Sequence, residues 1–405
     1  MKLNRSFYAV LGLIMLLMAG LVYAWSVLSL PLGAYFTTWS KAQLSMTFTI
    51  CMMFFCLGCM VGGMAAGKLP VRFVVWGSGI LFLAGFFIAS RANSPAVLYA
   101  GYGMFCGFAS GLVYNAVLSA MSAWFPDKQG MISGILLMGF GFSSFFVGKI
   151  YQAFTPSGEG VEAWRSSFVV FGALIAVIFL VCGLLFDRPG AEERAFLAGL
   201  SGGKKRAREE GLDIDTRSMI RRPSFWIFFC WTICMGGAGM ALIGQASGIA
   251  REAGPGTAEG TIATVAGLIS IFNGIGRVFF GTLFDRKGRR ITMLTVGAGF
   301  AASALILAGA LGSASLALVI LGFICSGFFY GGLNPSISAY VNSAYGPTHY
   351  PVNFSVMNLN LLLASFGGTV GGLLYDAGGS YITTIWYLAA SGLVSMGITM
   401  LLRKI

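Results

Sequence analysis

Midway along the apolar stretch 259–284 stands one arginine, Arg277. Asn273, Gly274 and Gly281 lie three or four residues from it, and Ser270 two turns away, so on a helix they share its face. A guanidinium is a planar fork of donors that matches a carboxylate. If the stretch spans a membrane, holding that charge there costs roughly 2.5–3.5 kcal/mol on insertion scales, which marks it as functional by default. No aspartate or glutamate falls inside an apolar stretch to neutralise it. The fourteen carboxylates sit in polar loops, at the ends of stretches or in one long polar segment. Arg277 is therefore expected to hold an anionic substrate, oriented by Asn273. The competing reading is a packing arginine bonded to backbone carbonyls or side-chain amides.

Other polar groups in apolar surroundings complete a candidate cavity. Tyr23, Trp25 and Ser26 precede Pro31, and Tyr114-Asn115 sits before Trp124-Phe125-Pro126. Tyr330 precedes Asn334-Pro335-Ser336, and Asn353, Asn358 and Asn360 follow. Tyr23, Tyr114, Asn115, Tyr330 and Asn360 are expected to donate hydrogen bonds, with Leu28 and Leu361 as apolar wall. Each could instead be an interfacial aromatic or an interhelical hydrogen bond. Reaction chemistry is not expected. The eight cysteines all lie in apolar stretches, His349 is the single histidine, and no nucleophile–base pair or metal set is present. Neither an enzyme nor a cofactor is predicted.

The elements that must position these groups follow from composition. Of 405 residues, 57% are apolar and 10% charged, with a mean hydropathy of +0.82. Soluble chains carry about 25% charged residues. Apolar runs at roughly 7–33, 43–66, 72–91, 95–123, 129–152, 165–187, 223–250, 259–284, 290–311, 314–342, 351–375 and 381–402 predict twelve membrane-spanning helices. The first is too long for the core of a signal peptide and is read as a retained helix. With the N-terminus inside, inner segments hold twenty Lys/Arg and outer loops five (Lys41, Arg91, Lys149, Arg165 and Arg251). That asymmetry predicts both termini in the cytoplasm. The net charge of +12 then reports topology and an anionic inner leaflet, not nucleic acid.

The organisation is double. Residues 1–187 and 223–405 form two six-helix halves, joined by a cytoplasmic linker, 188–222, of mixed charge. A repeat recurs at an offset of about 217 residues. Gly63 to Arg72 aligns with Gly281 to Arg290, and Ser110-Gly111-Leu-Val-Tyr114 with Ser326-Gly327-Phe-Phe-Tyr330. The predicted class is an all-α membrane protein of two pseudo-symmetric bundles, expected to be a monomer in the inner membrane.

The segment Gly281-Thr-Leu-Phe-Asp285-Arg286-Lys287-Gly288-Arg289-Arg290 resembles the signature loop of the major facilitator superfamily. That resemblance implies alternating access to a site near the bilayer midplane. It also implies an inner gate carried by Asp285, Arg286 and Arg290. The first-half copy has Gly67 where the family usually places an aspartate.

More narrowly, the stretch 23–31, Trp124-Phe125-Pro126-Asp127-Lys128-Gln129-Gly130 and Phe272-Asn273-Gly274-Ile275-Gly276-Arg277 resemble the oxalate/formate antiporter family and the related monocarboxylate transporters. The resemblance implies that Arg277 holds a carboxylate. The second-half lysine of oxalate carriers is here Leu361, and the aspartate of animal monocarboxylate carriers is Asn273. One cation matches one carboxylate, and an unpaired second one is costly in an apolar site. The expected function is transport of a small monocarboxylate such as lactate, pyruvate or formate, by proton symport or anion exchange. The alternatives are a dicarboxylate or oxalate exchanger, a multidrug exporter and a non-transporting sensor.

Overall fold

In a bilayer every backbone donor and acceptor must be satisfied within its own segment, so long apolar runs fold as helices. The computed structural model describes residues 5–39, 41–66, 68–156, 160–190, 192–194, 197 and 212–402. Most of the expected linker therefore lies outside the described residues. Helices α1 (Arg5–Tyr35), α2 (Lys41–Ala65), α3 (Val71–Ser90), α4 (Pro95–Trp124), α5 (Gln129–Phe154) and α6 (Ala163–Leu185) come first. After the short helix Thr216–Ile220 comes α7 (Pro223–Ala253). The run Glu259–Gly312 is broken at Gly288, whose φ of 79° only glycine adopts readily, into α8 (259–287) and α9 (289–312). The chain closes with α10 (Leu316–Tyr345), α11 (Tyr350–Gly378) and α12 (Ile382–Leu401). Among the described residues eleven helices are long and apolar enough to cross a membrane, and the break at Gly288 makes twelve segments of them.

Four of these helices are interrupted where their sequences weaken the hydrogen-bond ladder. A 3₁₀ turn, Gly20–Ala24, and Pro31 lie within α1, and a π-helical stretch, Tyr99–Cys106, within α4. Helix α10 turns at Gly331 and Gly332, four and three residues before Pro335. Proline has no N–H for the carbonyl one turn back, so the break falls there. Helix α11 comes in three pieces, Tyr350–Met357, Asn360–Ala364 and Gly367–Gly378.

The chain forms two compact units. One comprises Met1–Pro126, Gly139–Gly202 and Pro351–Asn358, the other Asp127–Met138, Gly203–Tyr350 and Leu359–Ile405. Helices α5 and α11 thus each contribute to both. In the first unit Gly111 lets α4 lie against α2, since a Cβ there would run into the carbonyl of Phe55. In the second unit Gly327, its partner in the repeat, does the same for α10 against the Ile269 carbonyl of α8. Small residues that let backbones approach are the usual means of helix association in lipid. The first unit's interior is an edge-on aromatic cluster, with Phe86 5.7 Å from Tyr102 and 5.5 Å from Phe168. The second unit stacks Phe228 on Tyr340 at 3.8 Å.

Candidate functional site

Arg277 lies half-buried on α8, one turn beyond Asn273. Its Nε donates to Asn273 Oδ1 at 2.9 Å. Because arginine only donates, the amide must turn its oxygen this way, which fixes the orientation of Asn273. Its Nη1 donates to the carbonyl of Leu137, in the part of α5 that belongs to the second unit. Two glycines bring the neighbouring backbones to this turn. A Cβ on Gly134 would strike the carbonyl of Arg277, and one on Gly331 the carbonyl of Asn273. A backbone carbonyl and a side-chain amide are the partners that the packing reading calls for, and both are present. The other end of the Asn273 amide, Nδ2, is buried without a hydrogen-bond partner among the described residues.

The remaining candidates divide between the units. In the second, Tyr330 is buried with its ring where a Cβ on Gly239 of α7 would sit, 6.3 Å from Phe300 and within electrostatic reach of Arg277. Asn360 is buried at the first break of α11, and Leu361 beside it is half-buried. In the first unit, Tyr114 packs edge-on against Phe55 and Phe140, each at 5.1 Å, and stacks on Phe354 at 6.0 Å. Asn115 Nδ2 donates to the carbonyl of Pro351 at 3.0 Å. Leu28 is buried, and its carbonyl accepts from Tyr151 at 3.4 Å. The side chain of Tyr23 lies outside the described residues.

So Arg277 and Asn273 are bonded in one unit, and Tyr114 and Asn115 meet the start of α11 in the other. The part played by Leu137 was not anticipated from the residues. Gly130 and Gly134, four residues apart on one face of α5, were the available signal.

At the end of α8, Asp285 accepts two backbone N–H groups from the first turn of α5, Gly130 and Met131, both at 2.8 Å. A carboxylate there complements the positive end of the helix dipole. Gly130 and Gly281 face each other bare, each leaving no room for a Cβ on the other. Arg286 and Arg290 are exposed, and among the described residues neither forms an ion pair. The contact thus runs from carboxylate to backbone.

The repeat-related end of α2 is built differently. A Cβ on Gly63 would come within 2.6 Å of the Pro351 carbonyl and 2.8 Å of Ser355 Oγ. Gly67 lies outside the described residues. The cysteines are free thiols, including Cys56 and Cys59, which stand three residues apart in α2 and are both buried. Among the described residues no group of His, Cys, Asp and Glu could hold a metal ion.

Comparison with known proteins bears on family and fold. The chain matches the family model described as Major Facilitator Superfamily over residues 10–359 and 248–405. It is 26% identical over 376 residues to the oxalate:formate antiporter of Oxalobacter formigenes, covering 91% of this chain and 84% of that protein. Over 128 residues it is 30% identical to monocarboxylate transporter 13 of Rattus norvegicus, covering 32% of this chain and 29% of that one. Among solved structures, the transporter FucP in its outward conformation aligns over 98% of this chain and 99% of its own, with a TM-score of 0.72 at 15% identity.

Proposed function

Because the chain belongs to the Major Facilitator Superfamily, we propose that it is a secondary active carrier of small organic monocarboxylates, of the lactate, pyruvate or formate kind. One observation carries this reading. The guanidinium of Arg277 stands half-buried in an apolar helix with its plane set by the Nε–Asn273 bond. A guanidinium so fixed offers a ready two-pronged seat for one carboxylate.

The substrate competes with the Leu137 carbonyl for the Nη1 donor. Binding therefore trades a contact between α8 and α5 for a contact to substrate, which links occupancy to movement of α5. Tyr330 and Asn360 line the same unit's approach, with Leu361 against the substrate's apolar end. Tyr114, Asn115, Leu28 and Tyr23, all in the first unit, are further candidates for substrate binding.

Charge constrains coupling. A monoanion entering against an inside-negative potential loses about 2.3 kcal/mol per 100 mV. Asn273 takes up no proton, so the balancing charge is an exchanged anion or a proton carried with the substrate. With both termini cytoplasmic, as the loop charges imply, the Asp285 contact lies at the inner face, where Asp285, Arg286 and Arg290 gate access. A second reading is favoured by the 26% identity to the oxalate:formate antiporter: exchange of a dicarboxylate. It requires a second cation, which Leu361 does not supply.

The test is uptake of labelled lactate, formate and oxalate into proteoliposomes, empty or preloaded, with and without an inward proton gradient. Lactate or formate uptake that falls at least about 100-fold in Arg277→Ala supports the reading, since an unpaired buried partner of that kind costs several kcal/mol. Unchanged uptake in Arg277→Ala overturns it. Oxalate uptake exceeding both monocarboxylates selects the second reading.

A further inference from the structure

Beyond the ends of α4 and α6, the first unit holds two neighbouring arginines, with the Asp187 carboxylate offsetting part of the charge of Arg188. Arg188 is half-buried, and its Nη2 donates to Ser119 Oγ at 2.9 Å. Ser119 in turn donates to the Ala116 carbonyl at 3.1 Å, so its lone pairs face the guanidinium. Arg188 Nε is enclosed and has no hydrogen-bond partner among the described residues. A buried donor left unmade costs about 1–3 kcal/mol, more where it is charged. Arg194 stands close enough to repel it, its own Nε donating to the Pro189 carbonyl at 3.0 Å. Burial first, and then this like charge, lower the proton affinity of Arg188, and the Asp187 carboxylate opposes them in part.

Each carboxylate nearby accepts a backbone N–H. Asp187 accepts the backbone N–H of Arg188 at 2.8 Å, and Glu193 that of Gly190 at 2.7 Å. Among the described residues neither arginine forms an ion pair.

The surroundings place this pair at the level of the membrane surface. Trp124, the last residue of α4, donates its Nε1–H to the Asp187 carbonyl at 2.8 Å, and Tyr8 stacks on it at 4.5 Å. Aromatic residues of this kind settle where lipid headgroups meet hydrocarbon. Arg5 lies over the Phe125 ring at 4.5 Å at the same end. Basic pockets between helix ends at this depth suit phosphorylated headgroups.

We propose that Arg188, braced by Ser119 and accompanied by Arg194, is a phosphate-binding site, filled by the phosphodiester of an anionic phospholipid or by free phosphate. The phosphate oxygens meet the accessible edge of the half-buried guanidinium and add to the counter-charge that Asp187 supplies. Nothing in this site depends on Arg277 or on the nature of the transported acid.

The test follows thermal unfolding of the purified full chain in detergent. Phosphatidylglycerol is compared with diacylglycerol of the same acyl chains, and inorganic phosphate with chloride. The midpoint of the wild type is expected to rise with phosphatidylglycerol and not with diacylglycerol. That rise is expected to vanish in Arg188→Gln, persist in part in Arg188→Lys, and shrink in Ser119→Ala, which keeps the charge but frees the fork. A rise with inorganic phosphate alone, lost in the same variants, identifies free phosphate as the occupant. No rise with either in the wild type, or a rise undiminished in both Arg188→Gln and Ser119→Ala, overturns the proposal.

Discussion

The two repeat-related helix ends solve one packing problem with different chemistry. At the end of α8, Asp285 takes two backbone N–H groups of α5 at 2.8 Å each, and bare glycine faces bare glycine beside it. At the end of α2, Gly63 meets the Pro351 carbonyl, and Asn115, a turn of α4 away, supplies one neutral hydrogen bond to the same oxygen. One contact is charged and directed at donors; the other is neutral and directed at an acceptor. The lesson is that duplicated halves keep their backbone geometry, set by glycines, more faithfully than the polar groups that lock it.

The sharpest way to break this comparison is to fill the glycines. Gly281→Val drives a side chain into the Gly130 carbonyl and is expected to destabilise by about 3 kcal/mol, the upper range for overpacking. Gly63→Val should cost less, because its Cβ has more room before Pro351. Thermal unfolding of the two purified variants checks this, and an equal or reversed order would remove the asymmetry. Next in size, Asp285→Ala strips the acceptor from two helix-end donors and should cost about 2 kcal/mol, at the upper end for a lost cap. Asp285→Asn keeps one acceptor oxygen and should lose roughly half of that; equal losses would show that the negative charge carries the contact.

Smaller again, Asn115→Leu leaves the Pro351 carbonyl without its side-chain donor and is expected to cost about 1 kcal/mol in the same assay. The smallest effect sharpens the contrast. Gly67→Asp places a carboxylate at the position the repeat aligns with Asp285. A helix-end charge of this kind is worth about 0.3–1 kcal/mol, seen as a slightly raised unfolding midpoint. A lowered midpoint would mean that the neutral contact excludes a carboxylate.

Much of the helical architecture was legible in the residues alone, because apolar run length acts locally along the chain. The split between the eighth and ninth segments was read at 285–289, and the chain turns at Gly288 within it. Tyr114 and Tyr330 were matched by repeat, and the glycines preceding them, Gly111 and Gly327, both prove to be helix contacts. The isolation of Arg277 among apolar residues was legible too. Its bond to the Leu137 carbonyl was not, because a backbone oxygen has no residue type to betray it. Nor was the division of α5 and α11 between units, which depends on tertiary register. The partners of Asp285 were hidden for a related reason: its carboxylate meets backbone amides, which every sequence contains.

The Arg277–Leu137 bond also bears on how the protein is made. Its two residues are 140 apart, and α5 leaves the ribosome first. When α8 enters the membrane with its charged side chain, the carbonyl that receives one of its donors is already in place. A helix that carries a charge in mid-span thus meets a waiting acceptor, and the order of synthesis becomes part of what allows the arginine to be there.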